Sequence, residues 1–157
     1  MRPTVYIETT VPSYYCDSRP ELATDIVRTR RWWDDERQEY ECFISEVVVD
    51  ELTEGDYPNK DRCLTLVKGI PELSINEEIE QITTVYLAHK LMPKTPPRDA
   101  LHLAIASYYR ADFLLTWNCK HLANANKTHR LRELNLEMGL FIPQLVTPNQ
   151  LQLWEDL

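Results

Sequence analysis

Four polar residues of this 157-residue chain have types and positions suited to chemistry: Glu8, Glu51, Asp99 and Asn118. Glu8 directly follows the β-rich run Thr4-Val5-Tyr6-Ile7, and Glu51 lies on the helical stretch after a second run, Glu41-Cys42-Phe43-Ile44. Asp99 opens a helix before the run Phe113-Leu114-Leu115-Thr116-Trp117, and Asn118 directly follows that run. Carboxylates gathered from such distant segments raise one another's pKa unless a cation neutralises them. Hard oxygen ligands select Mg²⁺ or Mn²⁺ over zinc, and Mg²⁺ keeps several waters while using one or two carboxylates plus substrate phosphates. The chemistry that fits is metal-assisted attack on a phosphodiester.

The elements that must position these residues follow from the same sequence. After the first strand, Thr10 to about Cys16 turns, with Pro12 tolerable only in a first helical turn. A helix is expected from Pro20 to about Glu39, one from Glu46 to Glu54 capped by Ser45 and stopped by Gly55, and one from Pro58 to about Lys68 closed by Gly69. Glu72-Leu73-Ser74-Ile75 is a third strand, and Asn76 caps a helix through about Lys90. The loop 92–97 leads into a helix from about Arg98 to Arg110. After the fourth strand short helices are expected, then a fifth strand at Leu140-Phe141-Ile142 and a last helix with Thr147 as cap and Pro148 at its first position. Short apolar strands alternating with helices imply parallel pairing, because parallel neighbours need a crossover. The expected fold is α/β, a three-layer α/β/α domain with a central parallel sheet of about five strands, spanning residues 1–157 as one unit. In such sheets sites lie outside the carboxyl ends of the strands, where Glu8 and Asn118 stand.

Glu51 carries the most information. On a wheel of about 100° per residue with Glu46 at zero, Val47, Val48 and Leu52 fall near 100°, 200° and 240°. Glu51 falls near 140°, inside that apolar arc, whereas Asp50 and Glu54 fall outside it. A carboxylate turned toward a core costs several kcal/mol or more unless a cation or strong donors meet it, so something positive is expected beside Glu51. A structural ion pair with an arginine would also satisfy it. Asp99 begins a helix apolar on nearly every face, and an acid there also complements the helix dipole. His102, one turn on, reads as a satisfied core histidine.

Composition bounds the alternatives. Three glycines, Gly55, Gly69 and Gly139, are too scattered for a phosphate-cradling loop. Cysteines at 16, 42, 63 and 119 show no metal-ligand spacing and read as reduced residues of a cytoplasmic protein. No run approaches the ~20 apolar residues that span a bilayer, so no membrane association is expected. The net charge of −8 argues against bulk coating of nucleic acid. Its distribution is uneven: residues 34–61 hold eleven acids against Arg37 and Lys60, whereas residues 89–132 hold eight bases against Asp99 and Asp112. The basic segment suits a local RNA groove and the acidic one a basic partner. Trp32 and Trp33, with Arg30 and Arg31, either offer a surface for a partner chain or a homodimer or, as adjacent tryptophans commonly do, split between core and surface.

At these positions the sequence resembles the PIN-domain family and, within it, the VapC-like toxin ribonucleases. The resemblance is carried by Val5-Tyr6-Ile7-Glu8-Thr9-Thr10-Val11, by Phe43-Ile44-Ser45 through Asp50-Glu51-Leu52, by Arg98-Asp99-Ala100-Leu101-His102-Leu103-Ala104-Ile105-Ala106 and by Leu114-Leu115-Thr116-Trp117-Asn118. It implies a PIN-like fold, a Mg²⁺- or Mn²⁺-dependent endoribonuclease leaving 5′-phosphate and 3′-hydroxyl ends, and an antitoxin partner. Glu8, Glu51 and Asp99 match the family's three acids and its metal ligands, Asn118 the fourth acidic position, and Thr10 the polar residue two places after the first acid. The family usually has Asp where Glu8 stands and often Asp where Asn118 stands. The longer Glu8 moves the metal or its waters, and the amide removes one charge, so one metal is expected to be held firmly and a second, if any, to arrive with substrate. Arg98, Lys120 and His121 flank the acids and are candidate phosphate contacts, and Trp117 either stacks on a base or packs as a strand end. Two other classes compete: a weak or inactive PIN-like module that binds RNA or a protein, and a phosphotransfer receiver domain, which Asn76 after the third strand disfavours.

Overall fold

The computed structural model describes residues 1–91 and 97–153. Five strands, β1 (Thr4–Ile7), β2 (Glu41–Ser45), β3 (Glu72–Leu73), β4 (Phe113–Leu115) and β5 (Gln144–Val146), form one sheet in the order β3-β2-β1-β4-β5, with every pairing parallel. Among the described residues seven α-helices connect or follow them: α1 (Thr10–Tyr15), α2 (Ala23–Arg31), α3 (Glu46–Thr53), α4 (Lys60–Val67), α5 (Glu77–Ala88), α6 (Arg98–Tyr108) and α7 (Ala125–Met138). Right-handed crossovers place α1–α4 on one face and α5–α7 on the other. The packing pairs follow, α1 on α2 and α4, α3 on α4, and α5 on α6. The expected three-layer α/β/α architecture is what the chain adopts.

β1 is central, and Val5, Tyr6 and Ile7 are sealed from solvent, which is why this strand is an unbroken apolar run rather than an alternating one. Chain order reverses on either side of it, β2 and β3 lying one way and β4 and β5 the other. The crevice between β1 and β4 is therefore the topological switch point of the sheet, where open α/β folds place their ligands.

Several ends are set by local chemistry the sequence announces. Asn76 Oδ1 accepts from Ile79 N at 2.9 Å and starts α5, whose first turn carries Glu77, Glu78 and Glu80. Gly139, at φ +70°, ends α7 in the left-handed region while Leu140 N reaches back to Asn135 O at 2.8 Å. Pro12 sits in the first turn of α1, as its missing N–H requires.

Other expectations are corrected. The fifth strand is not at Leu140-Phe141-Ile142: Leu140 closes α7, Phe141 O accepts from Asn135 Nδ2, and Pro143 offers no N–H, so pairing starts at Gln144. The short helices expected after Trp117 are the single 14-residue α7. Thr147-Pro148 opens a turn through Leu151 rather than a helix, and residues 154–157 lie outside the described residues, as do residues 92–96 of the loop expected over 92–97. The helix expected over 20–39 is a 3₁₀ turn (Pro20–Leu22), α2, a π turn (Trp32–Glu36) and a second 3₁₀ turn (Arg37–Glu39). Trp32 and Trp33, taken from the sequence as a partner surface, are both buried, with Trp32 stacked on Tyr40. Ser45 stands at the start of α3, but its hydroxyl does not cap the helix.

Across the π turn, Glu36, 2% exposed, meets Arg28 through both oxygens, at 2.5 and 3.0 Å. Arg28 also donates to Pro148 O and Leu151 O, which ties the chain's last described segment to α2. Removing one member of a buried pair strands the other charge, so Glu36→Ala is expected to cost about 3–5 kcal/mol in urea unfolding. A loss under about 1 kcal/mol would show that Arg28 escapes to water.

Candidate functional site

The site begins with Glu8, the first residue past β1, whose backbone N–H still donates to Leu115 O of β4 at 3.0 Å. Side chains two apart on a strand share a face, so Glu8 stands on the face of Tyr6. Glu8 is only 3% exposed. Its Oε1 accepts three hydrogen bonds: from Thr10 N at 2.9 Å, from Thr10 Oγ1 at 2.5 Å and from Thr116 Oγ1 at 2.9 Å. Thr116 directly follows β4, so its hydroxyl bridges the switch point. Oε2 carries no hydrogen bond among the described residues, yet it is not sealed from solvent. Burial raises the Glu8 carboxyl above the ordinary carboxylate range, and the His102 charge and the threonine bonds offset only part of that.

Glu51 lies on α3, half-buried, as the helical wheel required. Its positive neighbour is not arginine but His102, whose Nε2 donates to Oε1 at 2.5 Å, with Thr9 Oγ1 donating to the same oxygen at 2.8 Å. Again Oε2 is without a hydrogen bond among the described residues. His102 is fully buried on α6, and its Nδ1 meets Tyr6 Oη at 2.6 Å, which meets Ser45 Oγ at 2.7 Å. An unbroken chain of hydrogen bonds therefore runs from Ser45 through Tyr6 and His102 to Glu51 and Thr9. Burial alone would raise the Glu51 carboxyl and lower the imidazole. The bond and charge between them, aided by Thr9 and Arg98 at Glu51 and by the Glu8 charge at His102, outweigh burial, leaving Glu51 lowered and His102 raised.

Asp99 is half-buried in the first turn of α6, one turn before His102. Its charge, with those of Glu8 and Glu51, raises His102. All three acids thus act on one imidazole, Glu51 by contact and the other two through charge, and among the described residues no three His, Cys, Asp or Glu side chains converge as a metal cage. The donor chemistry present still fits a divalent cation. Two carboxylates each have one oxygen fixed by protein donors and the other open, and Mg²⁺ needs only one or two carboxylates with water filling the rest.

The remaining sequence candidates are placed as follows. Asn118 Oδ1 accepts from His121 N at 3.0 Å and its backbone O from Leu122 and Ala123, so this amide builds the turn after β4. Thr10 Oγ1 binds Glu8 and accepts from Trp117 N at 2.8 Å. Arg98 is engaged by Glu54 in a two-point ion pair at the surface. Lys120 is exposed and His121 half-buried, and neither side chain has a hydrogen bond or ion pair among the described residues. The sequence assigns no site role to Tyr6, Thr9 or Thr116, and it reads Ser45 as a helix cap and His102 as core. The available signals were Tyr6 two places before Glu8 on one strand face, and His102 three places after Asp99 on one helix face.

Among solved structures, the chain is similar to the crystal structure of VapBC2 from Rickettsia felis bound to a DNA fragment from their promoter, at a TM-score of 0.54 and 12% identity, covering 92% of this chain and 98% of that one. The chain has a PIN-like fold. At this identity the likeness is one of fold alone. No family model and no curated protein sequence matches the chain.

The two shifts around Glu51 have opposite pH signatures. The lowered carboxyl contributes stability above the ordinary glutamate value that is lost as pH falls through its folded pKa. The raised imidazole contributes stability below the ordinary histidine value that is lost as pH rises through its folded pKa. The pair is therefore fully stabilising between roughly pH 4.3 and 6.5. In metal-free buffer His102→Gln is expected to cost about 1–3 kcal/mol inside that window and less on either side, read by urea unfolding across pH. A loss that does not vary with pH would mean the pair is not ionised.

Proposed function

We propose that this protein is a metal-dependent endoribonuclease of the VapC-like kind, with Glu8, Glu51 and Asp99 holding Mg²⁺ or Mn²⁺. The observation that carries this is the open Oε2 of a nearly buried Glu8 at the sheet's switch point, its other oxygen fixed by three donors. A carboxylate kept out of water with one oxygen left open is a ligand in waiting, because a cation there would offset the desolvation. When bound, such a cation lowers the pKa of a coordinated water and polarises the scissile phosphate. Thr10 and Thr116 fix the direction of Glu8. His102, steadied by Tyr6, fixes that of Glu51, and Asp99 adds charge from the opposing helix. Lys120 and His121 supply donors for phosphate oxygens, and Arg98 does so on leaving Glu54. Asn118 contributes by shaping the turn that carries Lys120 and His121. The family resemblance adds 5′-phosphate and 3′-hydroxyl products.

The similar structure is of VapBC2 on DNA, in keeping with this chain being the toxin of a toxin–antitoxin pair. The acidic stretch 34–61, with Asp34, Asp35, Glu39, Glu41, Asp50, Glu54, Asp56 and Asp61 exposed, suits a basic antitoxin segment. No helix among the described residues is long and apolar enough to cross a membrane, which leaves the cytoplasmic assignment as part of the proposal.

One observation favours a second reading, a PIN-like module that binds RNA or protein without cutting it. No three-ligand group forms among the described residues, and Asn118 Oδ1 is committed to a turn. Cleavage of RNA in Mn²⁺ separates the two. Glu8→Gln and Asp99→Asn are each expected to lower the rate by about 100-fold or more, and the exposed Asp50→Asn to leave it within about twofold. Equal behaviour of Asp99→Asn and Asp50→Asn would exclude the assigned cluster, and no cleavage by the parent protein would favour the binding module.

A further inference from the structure

Trp117 leaves β4 beside the anchor of Glu8. Its backbone N–H donates to Thr10 Oγ1 at 2.8 Å, the hydroxyl that also donates to Glu8 Oε1. Its indole Nε1–H donates to Thr29 Oγ1 at 2.8 Å. Thr29 is fully buried and its hydroxyl donates onward to Asp25 O at 2.6 Å, so the indole cannot turn without breaking a bond to a buried group. Tyr14 lies against this ring with centroids 5.5 Å apart and planes 11° from parallel. Tyr14 comes four residues after Thr10 on α1, on the same helix face and one turn, about 5.4 Å, along it.

Two features separate this stack from ordinary core packing. Both rings are only partly buried, and the Tyr14 hydroxyl makes no hydrogen bond among the described residues. Tyr14 is thus held by the face of an immobilised indole and keeps contact with solvent. A rigid, partly exposed aromatic pair one helical turn from an acidic centre has the form of a base-stacking platform, because every nucleobase offers a π face whatever its sequence.

We propose that the Tyr14–Trp117 stack is a nucleobase subsite, on which an unpaired base of bound RNA stacks while the adjoining phosphate lies toward Glu8. The subsite rests on the ribonuclease reading and adds to it a preference for RNA whose bases are free to leave a helix. A base held in a duplex has both faces covered by its neighbours and cannot use the platform.

The test is fluorescence anisotropy of a labelled single-stranded RNA of about eight nucleotides, with Ca²⁺ in place of Mn²⁺, using the full chain. Tyr14→Leu keeps an apolar side chain of similar bulk and removes the π face, and Tyr14→Phe keeps the face and removes only the hydroxyl. Tyr14→Leu is expected to weaken single-strand binding by roughly 5- to 150-fold, and Tyr14→Phe by less than about twofold. Binding of the matching duplex is expected to be weaker and equal in all three proteins. Parent-like binding by Tyr14→Leu, or equal losses in Tyr14→Leu and Tyr14→Phe, would overturn the subsite while leaving the ribonuclease reading intact. No binding by the parent protein would also overturn it, and cleavage in Mn²⁺, measured separately, decides whether the ribonuclease reading falls as well.

Discussion

The site depends on a carboxylate removed from water and only half satisfied. Glu8 stands at the carboxyl end of a sealed central strand, where an ionised group costs several kcal/mol unless donors or a cation meet it. Thr10 and Thr116 meet one oxygen from two directions, one from the next helix and one from across the switch point. The raised pKa of Glu8 records that this compensation is incomplete. A folded pKa above the ordinary value means that ionising Glu8 lowers stability as pH rises past that value, and a cation at Oε2 would relieve the loss.

Glu51 solves the same problem differently. Its charge is met by His102, which Tyr6 and Ser45 hold from the far side, so the acid on α3 is tied to a strand and to a helix at once. Such a buried chain is strong only while every member is present, because a gap leaves an uncompensated polar group in low dielectric. The same arrangement fixes which oxygen of Glu51 faces the protein and which stays open. Orientation by outer partners is what metal sites generally require of their ligands.

Much of this was legible in the sequence, for identifiable reasons. Buried parallel strands are apolar runs, so β1, β2 and β4 could be seen, and Glu51 betrayed itself by lying in the apolar arc of its helix. The positive neighbour it demanded could not be named, because His102 is 51 residues away on α6 and only the folded chain brings that helix to α3. β5 was misplaced because Leu140-Phe141-Ile142 is as apolar as a strand. Nothing local reveals that Leu140 N is already bound by the end of α7. Trp32 and Trp33, beside Arg30 and Arg31, have the residue types of an interface as well as of a core, and nothing in composition announces the π turn that buries both. Thr116 is a common residue whose bond to Glu8 appears only once β1 and β4 are side by side, and Thr9 gains its role only when α3 brings Glu51 to it.

The uneven charge is spread over several elements. Of the bases in the stretch 89–132, Arg98 opens α6, Lys120 stands in the turn after β4, and Lys127, Arg130 and Arg132 lie on α7. The measurement that tests the central claim most directly is a crystal structure of the protein soaked in Mn²⁺, with the metal located by its anomalous signal. The account predicts a peak coordinated by Glu8 Oε2, with Oε1 still held by Thr10 and Thr116. At saturating Mn²⁺, a Glu8 Oε2 without metal would contradict it.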